Sequence, residues 1–274
     1  KNSSFLIIQT SRGCPYSCTF CTAPFYYGNL YQQKSVESVI DEIKYIKNLG
    51  ITEILFYSEI FTFNKKWVKN LCSEIINQDL NIKWMCNSRV DTVDEELLHL
   101  MKKAGCWLIS YGIESASQIT LNLSKKKYDK NQAKKTIAIT NKSGILSIGH
   151  FILGMPNETR QDIINTIDYS NNIGLDFALF YNATPFPGSE LYEQINKSNK
   201  KSNIWNKIIY SKNTISKIKN INQYYNLAYH KFYLNPNRVK SIYKLIKKMG
   251  IKNTINIIKS GLNAVKLILF NIHN

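Results

Sequence analysis

Short apolar runs with the alternation typical of β-strands and longer runs with helical periodicity follow one another along the first 195 residues. The strand-like runs lie at residues 5–9, 51–57, 82–87, 107–112, 146–153 and 176–182. The helical segments lie at residues 35–49, 64–78, 92–104, 129–144, 159–173 and 189–196. Six strand–helix units in a row predict a parallel sheet covered by helices, as a partial or full βα barrel or an open doubly wound sheet. In each of these folds, ligands bind at the carboxyl ends of the strands.

Several helix starts carry residues that favour helix capping. Asn64 is placed to cap the second helix, and Asp129 and Thr159 open two later ones. Thr92 is followed three residues later by Glu95, which is the spacing of a capping box. We therefore expect the third helix to begin at Thr92.

The chain changes character after residue 195. Residues 1–193 carry all 19 acidic side chains and 20 of the 36 Lys and Arg, a net charge of +1, while residues 194–274 carry the other 16 and no acid. The net charge of +17 therefore belongs to the end of the chain. We expect a core domain at residues 1–195 and a basic helical C-terminal region at 196–274. The longest apolar stretch, 262–272, is too short for a membrane span, which needs about 20 residues.

The basic region has helical segments with apolar and Lys-rich faces. One apolar face consists of Val239, Ile242, Tyr243, Ile246 and Met249, and the lysines beside it are Lys240, Lys244, Lys247 and Lys248. Such a helix can be a solvated cap on the domain, or it can lie peripherally on an anionic membrane surface. Binding to nucleic acid is disfavoured, because no RNA-recognition motif is present and the aromatic side chains lie on the apolar faces.

Three cysteines follow the first strand-like run at the spacing C-x3-C-x2-C: Cys14, Cys18 and Cys21. Gly13 and Pro15 disfavour a regular helix here, so the segment is predicted to be a loop around a ligand. Three thiolates suit zinc or an iron–sulfur cluster, and no fourth Cys or His that would complete a structural zinc site lies nearby. A cysteine cluster in a large chain also indicates a reducing, cytoplasmic compartment.

The segment from Arg12 to Cys21 resembles the cluster loop of the radical S-adenosylmethionine (radical SAM) superfamily, including the aromatic Phe20 before the third cysteine. The most similar branch is the one usually fused to an N-terminal cobalamin-binding domain, with magnesium-protoporphyrin ester cyclase-like enzymes and hopanoid methylases. Similar stretches follow in the expected order at residues 53–64, 84–91, 101–106, 111–115, 154–159 and 185–188. The resemblance implies a partial (βα)6 TIM-like barrel with a C-terminal helical appendage.

The resemblance also implies cofactors. Cys14, Cys18 and Cys21 would bind a 4Fe-4S cluster whose fourth iron is open to the amino and carboxylate groups of S-adenosylmethionine. One electron from the cluster then cleaves the sulfonium and gives a 5′-deoxyadenosyl radical, which abstracts a hydrogen atom from carbon. Cobalamin is a further cofactor of this branch. It would be bound by a domain upstream of Lys1, which we expect to be missing from this chain.

Further residues acquire expected roles in cofactor binding from the same resemblance. Ser58 and Glu59, after the second strand, would bind the methionine amino group. Arg89, at the end of the third strand, would pair with the methionine carboxylate, or else with Asp91 or Glu114 within the protein. Glu114, after the fourth strand, would accept hydrogen bonds from the ribose hydroxyls.

Other positions are less specific. Gly154 and Pro156 form the turn after the fifth strand that would bring backbone close to adenine, and Phe20 is a further cofactor-binding position. His150 is expected to be structural, although its strand position also permits contact with substrate. The remaining cysteines, Cys72, Cys86 and Cys106, are expected in the core, where free cysteine is common.

The expected reaction is cobalamin-dependent methyl transfer to an unactivated carbon, or a related C–H functionalisation. Its partners would be a small-molecule or lipid-like substrate and an electron donor of the flavodoxin or ferredoxin type. Two alternatives stay open. A tRNA-methylthiolating radical SAM enzyme needs a second cluster, for which no second cysteine triad exists. A non-catalytic metal-binding scaffold would hold zinc without sulfide.

Overall fold

The computed structural model describes residues 5–28, 30–198, 216, 218–239, 241–243 and 246. The strands are β1 (Phe5–Gln9), β2 (Ser11–Arg12), β3 (Gln32–Gln33), β4 (Glu53–Tyr57), β5 (Lys83–Arg89), β6 (Cys106–Glu114), β7 (Leu146–Leu153) and β8 (Phe177–Asn182). The helices are α1 (Ala23–Tyr27), α2 (Val36–Asn48), α3 (Lys65–Asn77), α4 (Glu95–Lys103), α5 (Gln118–Leu123), α6 (Lys130–Lys142), α7 (Arg160–Asn172), α8 (Glu190–Ser198) and α9 (Ile221–Tyr233). A 3-10 turn follows α9 at Pro236–Arg238.

The main sheet has six strands in the order β1, β4, β5, β6, β7, β8, and every neighbouring pair is parallel. Each strand therefore lies beside the next one along the chain, and a helix crosses over between them. This is the predicted partial (βα)6 barrel. A separate antiparallel pair, β2 with β3, was not predicted and brackets the cysteine loop and α1.

The two faces of the sheet pack differently. On β6, Ile109, Tyr111 and Ile113 are fully buried in the large core shared with the helices. The alternating residues face the inside of the barrel, where Leu108 and its neighbours on adjacent strands form a small apolar floor. This floor consists of Met85, Trp107, Leu108, Leu146, Ile148 and Phe177. Above it, towards the carboxyl ends, the inward positions become polar.

Helix α9 closes one edge of the sheet. Phe232 and Ala228 are fully buried in the main core, so this helix packs on the barrel although it lies beyond the boundary expected at residue 195. The division of the chain at that residue stays a prediction. The part of the structure that is described contains no helix long and apolar enough to cross a membrane. Of the amphipathic face expected at residues 239–249, Val239, Ile242, Tyr243 and Ile246 are described, whereas Met249 and the lysines beside this face lie outside the described residues, as do residues 251–274.

The helix starts follow the capping predictions with one exception. The side chains of Asn64 and Asp129 accept hydrogen bonds from the first turns of α3 and α6, and Thr159 forms a capping box with Asp162. The prediction that Thr92 caps α4 was wrong: the cap is Asp94, whose carboxylate accepts from the amide of Leu97. The Thr92 hydroxyl is buried instead in a bond to the Arg89 carbonyl.

Candidate functional site

The three clustered cysteines lie in an irregular loop between β2 and α1, at the carboxyl end of the barrel. Gly13 has a φ of +87°, and a Cβ there would lie 2.1 Å from the Leu30 carbonyl oxygen. Glycine is therefore required where the chain enters the loop. Backbone bonds hold the loop further on: the Thr19 amide donates to Ser124, and the Thr19 carbonyl accepts from Leu191.

A cavity of about 280 Å³ brings the cysteine loop together with the carboxyl ends of the strands. Most of the predicted site residues line it, and several residues that the sequence did not single out line it too. The lining consists of Cys14, Tyr16, Cys18, Phe20, Cys21, Ala23, Glu59, Ile60, Asn87, Ser88, Arg89, Ser110, Gly112, Glu114, Lys126 and His150. Ser58, Gly154 and Pro156 are not part of this lining.

The sulfur atoms of the three cysteines are the kind of ligand that an iron–sulfur cluster needs. Burial raises the pKa of Cys14 to about 11, and burial also raises the pKa of Cys18 against the opposing charges of Lys126 and Arg89. Bound iron would therefore supply charge that favours the thiolates. The Ala23 amide already donates to the Cys21 sulfur at 3.4 Å. Within the described ranges, no three His, Cys, Asp or Glu side chains stand in the arrangement of a bound metal ion, yet three cysteines that line one cavity are the ligand set of such a cluster.

Glu114 ends β6 in an unusual conformation. Its φ is +67°, and the pairing of β6 with β7 shifts register between Gly112 and Glu114. Such an irregularity turns a side chain out of the normal strand direction. The Glu114 carboxylate thus faces the cavity, where its Oε1 lies 2.7 Å from the Lys126 ammonium and both side chains are almost fully buried.

Lys126 is the main site residue that sequence reasoning missed. It lies between Lys125 and Lys127, whose positive φ values of +57° and +53° turn the chain so that Lys126 alone points inward. Its ammonium also lies 5.9 Å from the Phe20 ring centre. The sequence held a weak signal, since a lysine triplet directly precedes a helix on the ligand-binding side of the fold.

Arg89 lies where predicted, at the end of β5, but its guanidinium is already engaged. Two nitrogens donate to the two oxygens of Asp91 at 2.8 Å, and Nη2 also donates to the Lys126 carbonyl at 2.6 Å. Of the alternatives open from the sequence, the structure contains the pair with Asp91. The remaining nitrogen, Nη1, lies 3.9 Å from the Cys18 sulfur.

The two residues after β4 have different surroundings. The Ser58 hydroxyl is buried in bonds with the Ser11 hydroxyl at 2.5 Å and the Ile60 amide at 3.1 Å. Glu59 lines the cavity, and among the described residues its buried Oε2 has no hydrogen-bond partner. A buried carboxylate oxygen without a donor fits a ligand that carries an amino group.

The turn after β7 is braced rather than open. Glu158 accepts from the amides of Gly154 and Met155 at 2.8 and 3.1 Å and from the Ser115 hydroxyl at 3.0 Å. It thus ties the end of β7 to the residue after Glu114. A Cβ on Gly154 would lie 2.8 Å from the Ser216 side chain, while Pro156 is exposed. The expected contacts of Gly154 and Pro156 with adenine stay predictions.

Polar residues of three adjacent strands extend the site into the barrel. Asn87 on β5 pairs with Ser110 on β6, and Gly112 pairs with His150 on β7. The His150 ring lies parallel to Tyr181 and exchanges a hydrogen bond with its hydroxyl at 3.0 Å. Burial lowers the pKa of His150, so the imidazole is neutral at neutral pH. His150 thus lies where contact with substrate is possible, and its expected structural role stays a prediction.

The remaining cysteines are confirmed as core residues: Cys72, Cys86 and Cys106 are at most 1% exposed and belong to the main core. Phe20 packs against a second apolar cluster that contains Met155 and Leu191. It therefore fixes the loop just before Cys21 and closes one side of the cavity.

Comparison with known proteins decides the family. The sequence model of the radical SAM superfamily matches residues 8–170. The chain belongs to the radical SAM superfamily. Enzymes of this family use a 4Fe-4S cluster and S-adenosylmethionine and need a reductant. The cysteine loop and the cavity at the carboxyl ends of the strands lie within the matched residues.

The relatives of the chain include proteins named as a methyltransferase and as a cyclase. The chain is 37% identical over 190 residues to an uncharacterized methyltransferase of Pyrococcus horikoshii, over 69% of this chain and 41% of the relative. It is 31% identical over 197 residues to the anaerobic magnesium-protoporphyrin IX monomethyl ester cyclase of Rubrivivax gelatinosus, over 71% and 35%. The chain thus spans less than half the length of these relatives.

A solved structure shares the fold. TsrM from Kitasatospora setae, a radical SAM methyltransferase solved with cobalamin and a [4Fe-4S] cluster, matches with a TM-score of 0.67 and 22% identity, over 72% of this chain and 40% of that one. The similarity confirms the partial barrel of the radical SAM fold.

Proposed function

We propose that this chain is the catalytic core of a cobalamin-dependent radical SAM methyltransferase that acts on an unactivated carbon. One observation carries the catalytic part: three thiols, a buried ion pair and an unpartnered carboxylate oxygen line the same cavity. The cluster and S-adenosylmethionine supply a 5′-deoxyadenosyl radical when bound. The chain's own residues bind, orient and exclude water.

The polar groups of the cavity match the parts of S-adenosylmethionine. Glu59 has a free Oε2 for the methionine ammonium, and Glu114 has its second carboxylate oxygen for the ribose hydroxyls. For the methionine carboxylate we propose Lys126 rather than Arg89. The Lys126 ammonium has three N–H groups and donates one to Glu114, so two remain for a ligand. Arg89 instead already donates two N–H groups to the carboxylate of Asp91.

Reductive cleavage of S-adenosylmethionine tests the catalytic part. The full polypeptide is reconstituted anaerobically with iron and sulfide, reduced with dithionite and assayed for 5′-deoxyadenosine. Cys14→Ala is expected to abolish product. Cys72→Ala, which removes a buried thiol outside the cavity, is the matched control and is expected to retain it. If Cys14→Ala keeps the wild-type yield, the assignment of the cluster to this loop is wrong.

The methyl transfer part rests on the relatives. One is named as a methyltransferase, and the matched structure of TsrM holds cobalamin. Because the chain spans less than half of its relatives, we propose that cobalamin is bound by a part of the polypeptide upstream of it. The full polypeptide should therefore copurify with, or bind, methylcobalamin. Absence of binding at micromolar methylcobalamin would contradict this part and leave the cleavage chemistry untouched.

The alternatives are less well supported. A methylthiolating enzyme needs a second cluster, and the three cysteines outside the loop are buried in the core. A scaffold without chemistry does not explain the buried pair of Glu114 and Lys126 beside the thiols. An electron donor of the flavodoxin or ferredoxin type and a lipid-like substrate stay parts of the proposal.

We also propose peripheral contact of the basic region with an anionic membrane, at the cytoplasmic face. The 16 positive charges without an acid in residues 194–274 support it. Co-sedimentation with vesicles of phosphatidylserine and phosphatidylcholine is expected for the full polypeptide and is expected to weaken when residues 247–274 are removed. Equal binding of both forms, or no binding to anionic vesicles, would contradict this contact.

A further inference from the structure

The guanidinium of Arg89 is fixed on three sides and presents its fourth to a cysteine of the loop. Its Nε and Nη2 donate hydrogen bonds to the Asp91 carboxylate, and Nη2 also donates to the Lys126 carbonyl. The Tyr16 ring covers one face of the guanidinium, with 3.8 Å between Cζ and the ring centre. Nη1 then lies 3.9 Å from the Cys18 sulfur. Because these contacts fix the Arg89 guanidinium, it cannot rearrange when a ligand binds and dissociates.

We propose that Arg89 serves the cluster and not S-adenosylmethionine: it donates an N–H to the sulfur of Cys18 and raises the midpoint potential of the cluster. The inference rests on the proposed function, because it assumes a cluster on Cys18. Hydrogen bonds and positive charge near a ligating sulfur favour the reduced state, which carries one electron more. Arg89 is thus a positioning and tuning residue rather than a catalytic one.

Asp91 lies on the far side of the guanidinium and sets how much of its charge reaches Cys18. The Asp91 side chain is 26% exposed, whereas that of Arg89 is 4% exposed. Water therefore screens the carboxylate more than the guanidinium, and the field at the sulfur is dominated by Arg89. Removal of Asp91's charge should raise the potential, and removal of Arg89's charge should lower it.

Arginine is needed in this place because one planar group must do several things at once. Its fork binds both oxygens of Asp91, its face stacks on Tyr16, and a third nitrogen remains for the sulfur. A lysine ammonium could make one of these contacts but not all of them. Tyr16 lies between Cys14 and Cys18 in the sequence, so the stacking also positions the loop.

The test is a redox titration of the reconstituted full polypeptide without S-adenosylmethionine, followed by the EPR signal of the one-electron reduced cluster. Arg89→Gln is expected to lower the ratio of reduced to oxidised cluster about tenfold at a fixed potential, which is 59 mV for a one-electron couple. Asp91→Asn is expected to shift it in the opposite direction. Arg160→Gln, which removes an exposed arginine on α7, is the control and should leave the potential unchanged.

Binding of S-adenosylmethionine is measured on the same variants by equilibrium dialysis. The proposal expects Arg89→Gln to bind it within a few-fold of wild type. Weak binding with an unmoved potential would overturn the proposal and assign Arg89 to the methionine carboxylate. The proposal would also be overturned if Arg89→Gln and Asp91→Asn moved the midpoint potential in the same direction, or if neither moved it.

The iron content of each variant shows whether it holds a cluster, and a potential is compared only where it does. If Arg89→Gln takes up no iron, two other variants test the proposal. Compared with wild type, the midpoint potential should be higher in Asp91→Asn and lower in the double variant Arg89→Gln/Asp91→Asn. If the wild-type polypeptide itself holds no cluster, the proposed function fails, and this inference fails with it. A wild-type cluster with unmoved variant potentials overturns only the role of Arg89.

Discussion

Glu114 combines a left-handed backbone with a buried charge, and its neighbour Gly112 makes room for both. A Cβ on Gly112 would lie 2.5 Å from Glu114 Oε1 and 2.8 Å from Lys126 Nζ. Strained backbone and buried charge each cost free energy, and both are common at functional sites. We therefore expect the cofactor affinity to respond strongly to changes at the ends of these two side chains.

Loss of the Lys126 charge should weaken cofactor binding. Lys126→Gln keeps a hydrogen-bond donor for Glu114 but removes the ammonium that we assign to the methionine carboxylate. We expect the affinity for S-adenosylmethionine to fall at least tenfold, which is about 1.4 kcal/mol. Lys127→Gln, the same change at an exposed neighbour, should bind as wild type in equilibrium dialysis. Equal affinities of the two variants would refute the assignment.

Gly112→Ala should separate binding from stability. The added methyl meets only the far ends of two long side chains, which can move away, so the free energy of unfolding should change by less than about 1 kcal/mol. The displaced pair would no longer present its charges to the ligand, and S-adenosylmethionine should bind at least tenfold more weakly, about 1.4 kcal/mol. Urea denaturation and dialysis measure the two effects. Wild-type affinity in this variant would show that the pair does not contact the cofactor.

Motif residues and loop residues differed in how well the sequence located them. The three cysteines, Glu59 and Glu114 were placed at the cavity because strand ends converge in a βα fold. Lys126 could not be found in this way, since only the turn between α5 and α6 selects it from three adjacent lysines. The occupied fork of Arg89 depends on Asp91 and the Lys126 carbonyl, so it is visible only in three dimensions.

Among the elements, α9 has a specific relation to β8, the last strand of the sheet. The Tyr229 hydroxyl accepts from the Phe180 amide and donates to the Phe180 carbonyl, and the Tyr233 hydroxyl does the same for Ala178. Two tyrosines thus pair backbone groups that an edge strand would otherwise expose. The helix acts in place of a seventh strand.

Tyrosine-to-phenylalanine changes measure this edge protection. We expect Tyr229→Phe and Tyr233→Phe each to lower the free energy of unfolding by about 0.5–1 kcal/mol, because each hydroxyl serves two backbone groups but is partly exposed to water. Tyr224→Phe on the same helix is the control, because Tyr224 also packs against the core but is not one of the two tyrosines that bond the β8 backbone. If urea denaturation gives all three variants the free energy of unfolding of the wild type, the hydroxyls of Tyr229 and Tyr233 do not stabilise the edge.

The periodicity predicted the six main strands and the crossover helices because each buries one regular face in the core. It missed the short pair β2 and β3, whose two residues each carry no periodic signal. It also missed α5, a six-residue helix between Ser117 and Ser124. Thr92 was misplaced as a cap because Asp94 offers a carboxylate two residues later, and Thr92 is used in the core.

At the scale of the whole molecule, the net charge of +17 lies almost entirely in residues 194–274. Helix α9 lies within the acid-free part of the chain and yet contributes Ile221, Ala228 and Phe232 to the main core. Arg238 extends this attachment through bonds to the carbonyls of Leu175 and Asn171. Part of the basic region therefore packs into the core of the barrel, and we expect it to contribute to the stability of the barrel.

Truncations should reveal this requirement. A chain that ends at residue 246 keeps α9 and should unfold in urea close to the full chain. A chain that ends at residue 215 loses buried side chains such as Phe232, and we expect it to lose about 3 kcal/mol or more. Equal stability of both truncations would show that α9 is a dispensable appendage.

The central claim is that Cys14, Cys18 and Cys21 bind one 4Fe-4S cluster with an iron open to S-adenosylmethionine. Iron and sulfide analysis of the reconstituted full polypeptide, combined with ENDOR spectra of the reduced cluster in the presence of amino-15N S-adenosylmethionine, tests it most directly. We predict about four irons and four sulfides for this loop and a 15N coupling that is absent from Cys14→Ala. A single zinc without sulfide, or a cluster whose spectrum shows no 15N coupling, would contradict the claim.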